Sequence, residues 1–213
     1  RRFVGEIIDY LDGRGVKLVV IACNTLTVLG VDTLKGSHAF EIVGMSKGAQ
    51  LVLAASSRKK IGVFATEFTI NSGAHKAAIL AADDGADVYP QACPKFVPLI
   101  EGEQFDGAEV RAAVAEYAAP LKAAGIDTLI LSCTHYPFIQ KEIESEFGSE
   151  VTVIDPADAT AQDTKTVLAA EGLLRSEGAG TLEVCFTADV ERGARIAGRV
   201  LPQGKCLFKE IKL

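Results

Sequence analysis

The sequence predicts an α/β protein made of two open parallel-sheet αβα domains with a ligand cleft between them. Three observations carry that expectation. Short runs rich in Val and Ile alternate with longer amphipathic stretches along the chain, the rhythm of strands linked by covering helices. Runs such as Leu18–Ala22 and Leu129–Leu131 are apolar without alternation, as befits strands buried on both faces. Finally, residues 48–153 read as a self-contained block of helices and strands, while residues 1–47 hold too few strands for a core of their own. The first segment is therefore expected to be completed by 154–213, giving a discontinuous domain with 48–153 inserted.

Taken in order, the chain opens with a helix over 2–12, because Phe3, Val4, Ile7, Ile8 and Leu11 share one face and Gly13 supplies a stop. Strands are expected near 17–23, 40–44, 60–65, 86–91, 126–133, 150–154, 181–187 and 205–210. Helices are expected near 25–35, 46–57, 69–83, 107–124, 138–147, 158–175 and 189–200. The chain begins Arg1-Arg2-Phe3-Val4, without Met and already inside a helical pattern, as expected of a sequence that starts partway through a larger protein.

Composition narrows the function classes. The 213 residues are 48% hydrophobic and 23% charged, ordinary for a globular protein with a sizeable core. A net charge of -6 without a basic cluster argues against a nucleic-acid partner. No apolar run reaches bilayer length, and no Lys/Arg block suggests a membrane surface, so no membrane partner is expected. Five cysteines, an odd count with no Cys-x-x-Cys pair and no visible signal peptide, point to free thiols in a reducing cytoplasm. No strand is followed by Gly-x-Gly-x-x-Gly, and Cys133-x-His135 lacks the further paired ligands of a zinc site. No cofactor is implied.

Two short stretches stand out. "VVIACNT" over 19–25 and "LILSCTH" over 129–135 each run from an apolar strand into a thiol and a polar turn. Both sulfurs fall at carboxyl ends of expected parallel strands, where ligands collect in such sheets. A following helix N-terminus favours the thiolate, the form that acts as base or nucleophile. Asn24, Thr25 and Thr134 add donors suited to a carboxylate, and His135 can exchange a proton beside Cys133. Against this, a strand-end cysteine commonly packs as a small buried hydrophobe. Cys93, Cys185 and Cys206 lack the polar turn and are read as structural. His38 and His75 are read as surface or packing residues. Thr66, Thr69 and Ser72 form a hydroxyl-rich turn, helix caps first and ligand donors second. The segment "ACPKFVPLIE" over 92–101 is either a rigid surface loop or a cleft wall that brings Glu101 to His135.

"ACNT" at 22–25, "IGVFATEFTINSGA" at 61–74, "ACPKFVPLIE" at 92–101, "CTHYP" at 133–137 and "VTVID" at 151–155, in that order, resemble the bacterial glutamate racemase family of the cofactor-independent aspartate/glutamate racemase superfamily. The resemblance spans nearly the whole chain. It implies that Cys23 acts on the D-enantiomer of glutamate and Cys133 on the L-enantiomer, from opposite faces of Cα. It also implies that Asn24, Thr25, Thr134 and His135 hold the substrate carboxylates and amine, and that His135 and Glu101 assist Cys133; Thr66 and Thr69, from their hydroxyl-rich turn, are added as substrate-binding candidates. It implies glutamate as the small-molecule partner, a homodimer, and D-glutamate supply for peptidoglycan in a bacterial cytoplasm. The alternatives are a superfamily relative acting on another small amino acid or acid, and a binding homologue with impaired catalysis.

One departure matters. The family carries an N-terminal strand ending in Asp-Ser-Gly and then a Tyr-Gly loop, and neither is found here. The first domain is accordingly expected to lack a core strand and part of the site, and the 213-residue chain alone to show little or no turnover. His75 also stands where the family often has Tyr.

Overall fold

The structure, a computed structural model, describes residues 2–30, 38–178, 180–201 and 206–213. Every described strand lies in a parallel sheet, as the continuous apolar runs predict. The order is α1 (Arg2–Gly13), β1 (Leu18–Ile21), α2 (Asn24–Gly30), β2 (Glu41–Gly44), α3 (Ala49–Ala55), β3 (Lys60–Ala65), α4 (Glu67–Asn71), α5 (Ala74–Ala82) and β4 (Asp87–Ala92). It continues with α6 (Phe96–Glu101), α7 (Ala108–Ala124), β5 (Thr128–Ser132), a 3₁₀ turn over Tyr136–Ile139, α8 (Gln140–Phe147) and β6 (Thr152–Ile154). Last come α9 (Ala157–Ala170), β7 (Leu182–Phe186), α10 (Val190–Ala197) and β8 (Cys206–Glu210). The expected helix over 25–35 runs beyond Gly30 into residues outside the described ones, as does Lys205 at the head of the last expected strand.

Among the described residues the central, four-stranded sheet has the order β4-β3-β5-β6, and β1-β2 and β7-β8 form separate two-stranded pairs. Side-chain alternation along β3 and β5 feeds two apolar layers. Ile61, Val63, Ala65 and Ile130 meet Val52 of α3 and Ile79 of α5 on one face. Phe64, Leu129 and Leu131 meet Phe96, Val114, Leu121, Ile143 and Phe147 from α6, α7 and α8 on the other. Both faces are covered, which explains why these strands read as unbroken apolar runs. A third cluster packs Ile8 of α1 on Val19, Ile21 and Ile42 of the β1-β2 pair, with Phe40.

Three helix boundaries differ from expectation for local reasons. The helix expected over 69–83 is two, because Gly73 takes φ 68°, a left-handed conformation that stops a helix. The helix expected over 158–175 ends at Ala170, just before Gly172 at φ 65°. The proline-flanked stretch 92–101 contains helix α6 instead of being irregular throughout. Pro98 lies in its first turn, where the missing N–H costs no hydrogen bond.

The connection from β2 to α3 crosses between sheets and is pinned from both sides. Met45 N donates to Thr27 Oγ1 at 3.0 Å, and Ser46 N donates to Thr160 Oγ1 at 3.0 Å. At Gly48 the backbone has φ 61°, and a Cβ there would sit 2.4 Å from Ile130 Cδ1. Only glycine lets this crossing lie against β5 without displacing its core side chain.

Candidate active site

Sheet order decides where the polar strand ends meet. β3 and β5 are neighbours at the centre of the sheet, while β4 and β6 flank them on opposite sides. The switch point therefore lies beyond the carboxyl ends of β3 and β5, the place where open parallel sheets bind ligands. Thr66 follows β3 and Cys133 follows β5. Cys23 lies just beyond the end of β1 in the separate pair, its N–H donating to Ile21 O at 2.8 Å, and α2 starts at the next residue.

Burial dominates the environment of the Cys133 sulfur. Cys133 is 8% exposed. Burial pushes its thiol up to about 11, the backbone amides of His135 and Tyr136 pull it back, and the charge of Cys23 adds to the rise. Thr25, two residues past Cys23, bonds Thr66 at the end of β3, and this contact brings strand ends from two different sheets to one place. At rest Cys133 is a neutral thiol, an acid holding its proton.

Hydroxyls tie the two sides together. Thr25 Oγ1, in the first turn of α2, lies 2.9 Å from Thr66 Oγ1 and 3.2 Å from Thr69 Oγ1, and the last two are 3.0 Å apart. Thr66 occupies the N-cap position of α4, yet its side chain makes no capping bond to that helix. The cap-first reading of Thr66 and Thr69 is thus corrected: their hydroxyls turn toward Thr25. Ser72 instead links α4 to α5, donating to Thr69 O at 2.6 Å and accepting from Ala74 N at 3.2 Å. Asn24, at the start of α2, is 3% exposed, and its Nδ2 has no protein partner among the described residues. A buried amide donor of this kind suits a ligand carboxylate.

On the Cys133 side a relay is visible. His135 places Nδ1 4.0 Å from Cys133 Sγ and Nε2 2.7 Å from Glu101 Oε1. Glu101 is the last residue of α6, so the 92–101 segment forms a wall that brings this carboxylate to the histidine. The pair is partly exposed, with His135 at 34% and Glu101 at 45% of side-chain area, so both remain open to the solvent side of the site. Thr134, in the turn after Cys133, is exposed. The helix expected directly after Cys133 is a 3₁₀ turn starting at Tyr136, with Pro137 in its first positions. Individual amides therefore serve that sulfur where a long helix end was expected.

Cys93 lies 1% exposed in the core; burial raises its thiol strongly, and its Sγ donates to Gln91 O at 3.5 Å. The chain's pattern did not reveal Thr27 and Thr160. Their contacts fix the β2–α3 crossing beside the site, and nothing in their local sequence marks them out.

The geometry agrees with what the chain is similar to. A sequence profile of the Asp/Glu/hydantoin racemase family matches residues 3–164. The glutamate racemase of Lysinibacillus sphaericus strain C3-41 is 36% identical over 215 aligned residues, covering 100% of this chain and 81% of that protein. Among solved structures, a glutamate racemase from Bacillus anthracis superposes with a TM-score of 0.89 at 30% identity, covering 100% of this chain and 79% of that one. A glutamate racemase from Francisella tularensis, solved with D-glutamate, gives a TM-score of 0.84 at 26% identity, covering 100% and 79%. The chain belongs to the Asp/Glu/hydantoin racemase family.

Proposed function

We propose that this protein interconverts L- and D-glutamate by passing the Cα proton between Cys133 and Cys23, without a cofactor. The observation that carries the reading is the hydroxyl cluster of Thr25, Thr66 and Thr69, which joins the turn beside Cys23 to the end of β3, the neighbour of the strand that leads to Cys133. Its supports are the glutamate racemases that the chain resembles along its whole length.

In the L-to-D direction Cys133, as thiolate, takes the proton from Cα, and the electron pair passes into the substrate carboxylate. Cys23, as thiol, then delivers its proton to the opposite face. The product state holds Cys133 as thiol and Cys23 as thiolate, and the reverse reaction exchanges their roles. A racemase serves both enantiomers, so it requires an acid/base group on each face. Burial opposes the Cys133 thiolate, so the His135 and Tyr136 amides and the nearby His135 ring are the groups that stabilise it as it forms. Asn24, Thr25, Thr66, Thr69 and Thr134 bind the carboxylates and amine. Glu101 orients His135. In this reading the segments 1–47 and 154–213 form one domain and 48–153 the other. The protein acts as a homodimer in a bacterial cytoplasm, supplying D-glutamate for peptidoglycan.

The test uses protein expressed from its complete reading frame, with L- or D-glutamate in D₂O followed by NMR and by chiral analysis. Each enantiomer should gain deuterium at Cα and yield its mirror image. Cys23→Ala and Cys133→Ala should each cut inversion by about 10³-fold or more with unchanged circular dichroism. Retention of turnover in either variant contradicts the two-thiol assignment.

A further inference from the structure

Two arginines at the C-terminal end of the fold grip the segment that follows Glu101. From α10, Arg195 donates to Glu103 through Nε, at 3.1 Å to Oε1 and 3.2 Å to Oε2, and through Nη2 at 2.6 Å to Oε1. These hydrogen bonds hold the Glu103 carboxyl below the usual carboxylate range, so the pair stays ionised at neutral pH. Just past the end of α10, the Arg199 guanidinium carbon lies 4.0 Å from the centroid of the Phe105 ring. Phe105 packs on Phe138 with centroids 5.7 Å apart. Phe138 belongs to the 3₁₀ turn that begins directly after His135. The contacts therefore reach both chain segments that carry the Glu101–His135 pair.

A single exposed ion pair contributes little to stability. Here the value is orientation. The forked contact to both carboxylate oxygens fixes Glu103 in direction as well as distance. Glu103 has φ 60°, a left-handed conformation uncommon for a residue with a side chain, and held only where the surroundings determine it. It lies two residues beyond Glu101, with one glycine between. Displacing Glu103 therefore moves the end of α6.

We propose that Arg195 and Arg199 are positioning residues: through Glu103 and Phe105 they hold Glu101 against His135 and so aim His135 at Cys133. The proposal rests on the racemase reading above and adds to it a latch from the C-terminal β7–α10–β8 unit. Both arginines act through the wall of the site, Arg195 by way of Glu103 and Arg199 by way of Phe105.

Arg195→Ala should lower kcat for glutamate about tenfold while KM changes less than about twofold, because orientation and not binding is lost. In a Glu101→Gln background the same substitution should cost less than about twofold, since the residue it acts through is already disabled. Exchanging the partners, Arg195→Glu with Glu103→Arg, should restore most of the loss. Arg192→Ala removes an arginine that pairs with the nearby Asp189 at 3.1 Å and should leave kcat unchanged. Equal losses with and without Glu101, or a lower melting temperature at unchanged kcat, overturn the latch. A parent protein that inverts no glutamate sinks the functional reading instead. The latch is then judged by ¹⁵N spectra of the His135 ring: its Nε2 resonance moves in Arg195→Ala if the proposal holds and stays in place if it is wrong.

Discussion

His75 shows how burial rewrites a side chain that the sequence presents as ordinary. It is 3% exposed, and both ring nitrogens lack a hydrogen-bond partner among the described residues. Burial, helped by the positive charge of Lys47, lowers its pKa from 6.5 to about 4. The folded protein thus keeps this imidazole neutral where the unfolded chain would protonate it. Between those two values the unfolded state binds more protons, so the contribution is complete above about pH 6.5 and lost as pH falls toward 4. A shift of that size corresponds to about 3 kcal/mol. Urea unfolding of His75→Leu should show a flatter stability profile than the parent between those pH values; identical slopes would refute the assignment. Cys133 illustrates the same force with the opposite sign: burial keeps its thiol protonated.

Elements meet where one of them gives way. Gly48 stands at the N-cap of α3, at the point where the β2–α3 crossing lies on β5. Gly48→Ala faces two penalties at once, a positive φ and a Cβ 2.4 Å from Ile130 Cδ1. It should destabilise the protein by about 1–3 kcal/mol, read as a lower denaturant midpoint at unchanged m-value. A neutral effect would mean that Ile130 repacks without cost. Helix α6 makes a related point. Its prolines suggest a loop, but Pro98 occupies a first-turn position, and Phe96 and Ile100 are fully buried. Packing of those two side chains decides that the segment is helical, and the same helix sets the place of Glu101.

Across the whole molecule, the site depends on keeping the β1-β2 pair in register with the central sheet. Hydrogen bonds between distant segments do this. Thr27 Oγ1 donates to Cys23 O at 2.9 Å and accepts from Met45 N at 3.0 Å. Thr160, 5% exposed, accepts from Ser46 N at 3.0 Å and donates to Pro156 O at 3.1 Å. Thr160→Val keeps the shape but leaves the Ser46 N–H without its acceptor, so stability should fall by about 1–3 kcal/mol. Thermal or urea unfolding measures it, and an unchanged midpoint would show that the crossing is held by other contacts.

The sequence by itself determined the eight parallel strands, the amphipathic helices between them, and a thiol just past the carboxyl ends of β1 and β5. These are local properties: a run of Leu, Val and Ile reports that a strand is buried on both faces. The tertiary structure decided the rest. Among the described residues it set the pairing into one four-stranded and two two-stranded sheets. It gathered the Thr66 and Thr69 hydroxyls around that of Thr25, buried His75, and joined Arg195 to Glu103 across 92 positions of chain. Periodicity records which side of an element is apolar and carries no information about what covers it. A short polar side chain has several partners within reach, and only the packed neighbours settle which one it takes.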